Sequence, residues 1–190
     1  MKQITGTQLI KELDIDAVKS NPDQLVTIDA CVHKIRNMSG FAFVILRTGK
    51  YLIQTIYEEG QCQSSLEDIG VGYYIRATGL PRLDDRANLG FEIVLKEFEI
   101  LSKPAAEYPL NVSGKKLGCG LEANLDYRSV ALRNPYEKAI FKVQEAVVSG
   151  FVKFMESQGF TQVHTPKIVA AGAEGGANIF KLDYFNQEKC

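Results

Sequence analysis

The chain has 190 residues, 45% of them hydrophobic and 24% charged, which is enough apolar material for a buried core and argues against disorder. A formal net charge of -1 excludes binding of nucleic acid through one global positive field, but leaves local base recognition open. Four cysteines without a C-x-x-C pair and two histidines away from ligand spacing argue against structural zinc and for a reduced, cytoplasmic setting, and no apolar run is long enough to span a membrane.

Residues 1–24 read as an N-terminal extension in which TQLIKEL, Thr7 to Leu13, predicts a short helix before the turn signal SNPD. Residues 25–103 read as strands. Val26, Ile28, Ala30 and Val32 alternate with Thr27, Asp29, Cys31 and His33, the period of a half-buried strand. GFAFVIL, YLIQTIY, GYYIRATG and GFEIVLKEFEIL supply four more, broken by glycine-containing turns. QSSLEDIG, between the third and fourth, suits a short helix. Five strands with that insertion are the layout of an all-β OB-fold barrel, with an SH3-like barrel as the competing reading.

Residues 104–135 carry proline, glycine and charge with little periodicity and read as a hinge or linker with some structure of its own. Residues 136–190 begin a second domain. Asn134 is a good N-cap, Pro135 falls at the first helical position and Glu137 sits three residues after the cap. From Ile140 one apolar stripe runs through Val143, Val147, Phe151 and Phe154, and a second through Phe141, Val148, Val152 and Met155. So wide a face belongs in a larger core or against another subunit. Gly159 is the expected C-cap, and TQVHTPKIV alternates as a short strand ended by Pro166. One long helix and one strand begin a domain without finishing it.

The hairpin FVILRTGKYLIQ carries the most suggestive pair. A two-residue turn at Thr48-Gly49 places Phe43 opposite Gln54 on one face. An aromatic ring beside an amide is suited to stack a base and hydrogen-bond its edge. By pattern alone the same residues also fit a core phenylalanine and a solvated glutamine. Glu92 is able to accept from a base amino group, yet its pattern is that of a solvated strand glutamate. Arg36, Arg47, Lys50, Arg82 and Arg86 fall in or near strand ends and loops, within reach of phosphates or as plain surface charge. The loop Glu174-Gly175-Gly176-Ala177 suits closure over a cationic ligand group. His164 has no paired nucleophile and reads as a satisfied histidine; no Walker A, dinucleotide or metal-ligand pattern occurs.

FVILRTGKYLIQ, LDYRSVALR and GFTQVHTPKIV followed by EGGANIFKLDYF, in this order, resemble a class II aminoacyl-tRNA synthetase of the aspartyl, asparaginyl and lysyl subgroup. The resemblance covers nearly everything from about residue 25 onward. It implies that the barrel binds a tRNA anticodon, with Phe43 stacking on a base, Gln54 reading the central uridine and Glu92 near the third position. Arg36 and Arg47, by charge and place near strand ends, are expected to join them. It implies that Glu174, Gly175 and Gly176 belong to a loop that closes over the amino acid. Phe151, Phe154 and Pro166 match motif 1, the long helix, strand and proline of a homodimer interface. EGGA followed by YF is similar to the aspartyl enzymes of archaeal and eukaryotic type, with the asparaginyl enzymes as the alternative. The sequence departs from the family at Thr48, Ala131 and in ACV of the first strand.

In the family the residues that hold ATP and Mg2+ lie in motifs 2 and 3, beyond the point where this sequence stops. The expectation is therefore an N-terminal portion of an aspartate-tRNA ligase, with no catalytic residue, metal or nucleotide of its own, binding an aspartate-type anticodon weakly and not aminoacylating. Two other readings stand beside it: a stand-alone OB-fold nucleic-acid-binding module, and an oligomerising structural domain with no RNA role.

Overall fold

The computed structural model describes residues 13–166, 168, 182–185 and 187–189. They divide into two compact units, Met1–Lys138 and Ala139–Cys190.

The first unit is built on a closed five-stranded barrel. Its strands are β1 (Val26–Asn37), β2 (Phe41–Arg47), β3 (Leu52–Glu58), β4 (Tyr74–Leu83) and β5 (Phe91–Ser102). They join in the order β1-β2-β3-β5-β4, and β4 returns to β1. All pairings are antiparallel except β3 with β5, which is parallel. This closure is that of an OB barrel and leaves the SH3-like alternative aside. The period-two pattern does the folding: Ile28, Ala30, Val32, Val44, Leu46, Ile53, Ile75, Ala77, Phe91, Ile93 and Leu95 all turn inward and are buried. Register slips after Val32 in β1, where His33 is buried as well, and again between Thr78 and Gly79 in β4. Such bulges increase local twist and help a short sheet to close.

Gly79 is required at its position. A Cβ there would lie 2.4 Å from the Val94 carbonyl oxygen and 2.6 Å from Ile93 Cγ2. The expected helix in QSSLEDIG is a single 3-10 turn, Leu66–Asp68, capped by Ser65.

The helix expected at residues 7–13 falls mostly outside the described residues. The described helix is α1, Ile15–Ser20, with the Asp14 carboxylate accepting from Ala17 N at 3.0 Å. Val18 is buried in the barrel core and Ile15 packs against it, so this segment closes one end of the barrel.

After β5 the linker folds around a small core of its own: Leu110, Val112, Leu117 and Ala131, flanked by Tyr108, Cys119, Ala123 and Val130. Two short helices, α2 (Leu121–Asp126) and α3 (Arg128–Ala131), complete it. Asn134 is fully buried and organises the exit. Its Nδ2 donates to the carbonyls of Val112 and Gly114 at 2.9 and 2.7 Å, and its Oδ1 accepts from Tyr136 N and Glu137 N. The expected N-cap is thus also a tie between linker and helix.

Helix α4 runs Pro135–Ser157, and only its first turn belongs to the first unit. It ends at Gly159 with φ of +84°, where Gly159 N and Phe160 N return to the carbonyls of Glu156 and Met155. None of its described residues is buried, and Phe151 and Phe154 stay more than three-fifths exposed. The short strand expected at TQVHTPKIV does not form: Thr161 to Pro166 are irregular and exposed. A strand needs a neighbour for its N–H and C=O groups, and no described strand pairs with it. A two-stranded hairpin, β6 (Leu182–Tyr184) with β7 (Gln187–Lys189), closes the described chain, with Phe185 at a φ of +49°.

Candidate nucleic-acid interface

The barrel's outer surface carries a groove of about 430 Å³ over β2, β3 and β5 and the start of the β4–β5 loop. Its strands place side chains in rows. In one row Ile45 faces Gln54 across β2–β3, Gln54 lies one step before the parallel Thr55–Ile93 pair and so beside Glu92, and Glu92 faces Arg82 across β4–β5. The next row holds Arg36, Phe43, Ile56 and Val94, and the one after it Phe41 and Glu58.

Phe43 is therefore paired with Ile56 and not with Gln54, which corrects the expected register. The turn is Gly49-Lys50, not Thr48-Gly49. Thr48 N donates to the Tyr51 carbonyl at 2.9 Å, and Tyr51 N donates back to the Thr48 hydroxyl at 3.0 Å, so the Thr48 side chain fixes the turn one residue later. The shift moves the pairing by two residues, and side chains alternate with period two. Phe43 and Gln54 accordingly stay on one face as diagonal neighbours. Phe43 is half-buried, with its ring edge-to-face to Phe41 at 5.2 Å and 86°.

Glu92 also differs from expectation. It is 2% exposed, because both of its oxygens are engaged by neighbours that cover it. Gln54 Nε2 donates to Oε2 at 2.9 Å, while Arg82 Nε and Nη2 donate to Oε1 at 3.0 and 2.6 Å. Arg82 keeps about half of its side chain in solvent. At the groove's rim Arg86 forks onto Asp84 at 3.0 and 2.9 Å, and this guanidinium holds the Asp84 carboxyl below the usual carboxylate range. Three carboxylates and two guanidiniums line the groove, a mixture that favours recognition of base edges over a plain phosphate track.

Of the residues expected here, Phe43, Gln54 and Glu92 come together. Arg36 stands exposed beside Phe43 on the neighbouring strand. Arg47 does not join them: it is four residues, roughly 13 Å, further along β2. There it lines a second cavity with Asp29, Cys31, Tyr74, Tyr108 and Arg133, and its buried Nε has no hydrogen-bond partner among the described residues. Arg133 stacks over the Tyr108 ring at 4.9 Å and donates to its hydroxyl. Phe41, Glu58 and Asp84, outside the expected set, also line the main groove. Phe41 and Phe43 share a face at period two, a signal GFAFVIL already contained. Glu174, Gly175 and Gly176 lie outside the described residues; Pro166 is described but belongs to no strand.

Residues 26–101 match the family of OB-fold nucleic acid binding domains, and residues 120–189 match the class II tRNA synthetases (D, K and N). The chain is 33% identical over 169 residues to the aspartate–tRNA(Asp/Asn) ligase of Archaeoglobus fulgidus, covering 87% of this chain and 39% of that protein. It is 31% identical over 172 residues to the aspartate–tRNA(Asp) ligase of Pyrococcus furiosus, covering 86% and 38%. In fold it resembles asparaginyl-tRNA synthetase from Pyrococcus horikoshii complexed with asparaginyl-adenylate, with a TM-score of 0.79 and 23% identity over 95% of this chain and 42% of that one. The chain thus spans about two-fifths of the length of the proteins it matches.

Proposed function

The chain belongs to the class II aminoacyl-tRNA synthetases of the aspartyl, asparaginyl and lysyl group, with their OB-fold domain at residues 26–101, and from that premise we propose that the groove over β2, β3 and β5 binds a tRNA anticodon of aspartate type. The observation that carries this reading is a half-buried Phe43 ring beside a Gln54 amide anchored by Glu92. The ring supplies a flat apolar platform on which an unpaired base stacks, and the amide supplies an acceptor and a donor for that base's edge. Arg82 and Arg86 lie at the rim, and Arg36 beside Phe43, as cations for the flanking phosphates.

The whole protein, on this reading, attaches aspartate to tRNA through aspartyl-adenylate using ATP. Anticodon binding orients the tRNA for that chemistry and takes no part in it. Among the described residues no group of three or more His, Cys, Asp or Glu side chains is placed to hold a metal ion. The family uses ATP and Mg2+, and no step is assigned through them to the described residues. Glu174, Gly175 and Gly176 would close over the amino acid. The exposed apolar face of α4, with Phe151 and Phe154, is the surface for a second copy, as in a motif 1 homodimer; sedimentation of the chain as a clean monomer at all concentrations would count against it.

The test is binding to anticodon stem-loops bearing GUC, GUU and an unrelated triplet at one fixed salt concentration. Preference for GUC supports the aspartate reading, and equal binding of GUC and GUU supports a relaxed enzyme of the Asp/Asn kind. Preference for GUU supports the asparaginyl alternative. Equal binding of all three refutes anticodon reading.

A further inference from the structure

The row Arg82–Glu92–Gln54 has a directionality that the individual residues do not. Glu92 Oε2 accepts from Gln54 Nε2 at 2.9 Å, so the Gln54 group facing the carboxylate is its NH2. The amide is thereby fixed against a flip, with Oε1 turned away from Glu92. Arg82 occupies the other carboxylate oxygen with two donors and sets its positive charge against the buried carboxylate. With both oxygens engaged and 2% of its surface exposed, Glu92 has little left to offer a base.

We infer that Glu92 is a positioning residue: it touches no RNA, and it fixes the Gln54 amide so that one acceptor and one remaining N–H meet the middle base of the anticodon. This rests on the anticodon reading above and differs from a role for Glu92 at the third position. The chemistry it selects follows from the amide's orientation. A uracil presents N3–H beside a carbonyl oxygen, the complement of an acceptor beside a donor. Cytosine presents an acceptor at N3 and an amino group next to it, which reverses the pattern. A free amide would accommodate cytosine by flipping; one anchored by Glu92 does not.

The experiment is a double-mutant cycle on the chain, comparing affinities for loops with U or C at the middle position and, separately, loops altered at the third. Glu92→Gln leaves one carbonyl oxygen to serve three donors, two from Arg82 and one from Gln54, and releases Gln54. It is expected to lower U-over-C discrimination about tenfold, the size of one well-made base contact. Gln54→Ala should do the same, and the double variant should be no worse than Gln54→Ala alone. Third-position discrimination should stay unchanged in Glu92→Gln. Additive losses, or a loss confined to the third position, would overturn the inference and make Glu92 a base reader. Absence of middle-base discrimination in the unaltered chain would instead refute the anticodon reading. The anchoring has its own check without RNA or substitution. The Gln54 side-chain amide protons should exchange with solvent more slowly than those of exposed Gln24 and Gln61; equal rates would overturn the anchoring itself, whether or not Glu92→Gln folds.

Discussion

Replacing Phe43 separates a stacking platform from a packing residue. Its ring sits on the outer face of β2, half-buried, with Phe41 edge-to-face at 5.2 Å, while Val44 and Leu46 carry the inward packing of that strand. Stacking of one base on an aromatic ring is worth about 1–3 kcal/mol, so Phe43→Ala should weaken anticodon-loop binding by about 5- to 150-fold. The lost contact with Phe41 costs about 0.5–1.5 kcal/mol of stability, a modest fall in the unfolding midpoint. Phe43→Leu keeps most of the apolar area but removes the flat π face, and should lose nearly as much RNA affinity as the alanine variant. Fluorescence anisotropy with a labelled loop at fixed salt gives the affinities, and denaturant unfolding gives the stabilities. Leucine binding RNA as well as phenylalanine would refute the stacking argument. A large stability loss with unchanged affinity would return Phe43 to the core.

Three further perturbations test the scaffold. Gly79→Ala forces a Cβ to within 2.4 Å of a backbone carbonyl that the β4–β5 pairing holds in place, and should destabilise the barrel by about 1–3 kcal/mol in urea unfolding. Asn134→Ala removes the α4 cap and strands the two linker carbonyls it serves; a loss of about 2 kcal/mol or more is expected, and proteolysis should begin in the linker. His33 is held below its ordinary pKa of about 6.5, first by burial and then by the Arg47 and Lys34 charges. The unfolded chain therefore takes up a proton before the folded one does: stability is present in full above about pH 6.5 and falls as pH drops from there through the lower folded value. His33→Gln should flatten the melting temperature across that interval, and an unchanged slope would show that other groups set it.

Much of the barrel could be read from alternation alone, because each strand turns one face to the core and one to solvent. That same period protected the site. The turn lies one residue later than the pattern predicts, yet the resulting two-residue difference in pairing leaves Phe43 and Gln54 on one face. Glu92 was not legible, since a carboxylate in a strand looks the same whether water or an arginine ten residues away satisfies it. Charge alone groups Arg47 with the anticodon residues, whereas its place along β2 puts it by the linker. Helix α1 carries its own N-cap signal in Asp14, three residues before Ala17, which the sequence reading leaves unused. The segment after Gly159 has strand-like alternation, but alternation specifies a strand only where a neighbour is available to pair with it.

The most direct test of the account is where the middle anticodon base touches the chain. A loop of aspartate type carrying 4-thiouridine at that position, irradiated on the chain and mapped by mass spectrometry, should crosslink within β2 and β3 around Phe43 and Gln54. Crosslinks at the cavity of Arg47, Tyr108 and Arg133, or along α4, would contradict it.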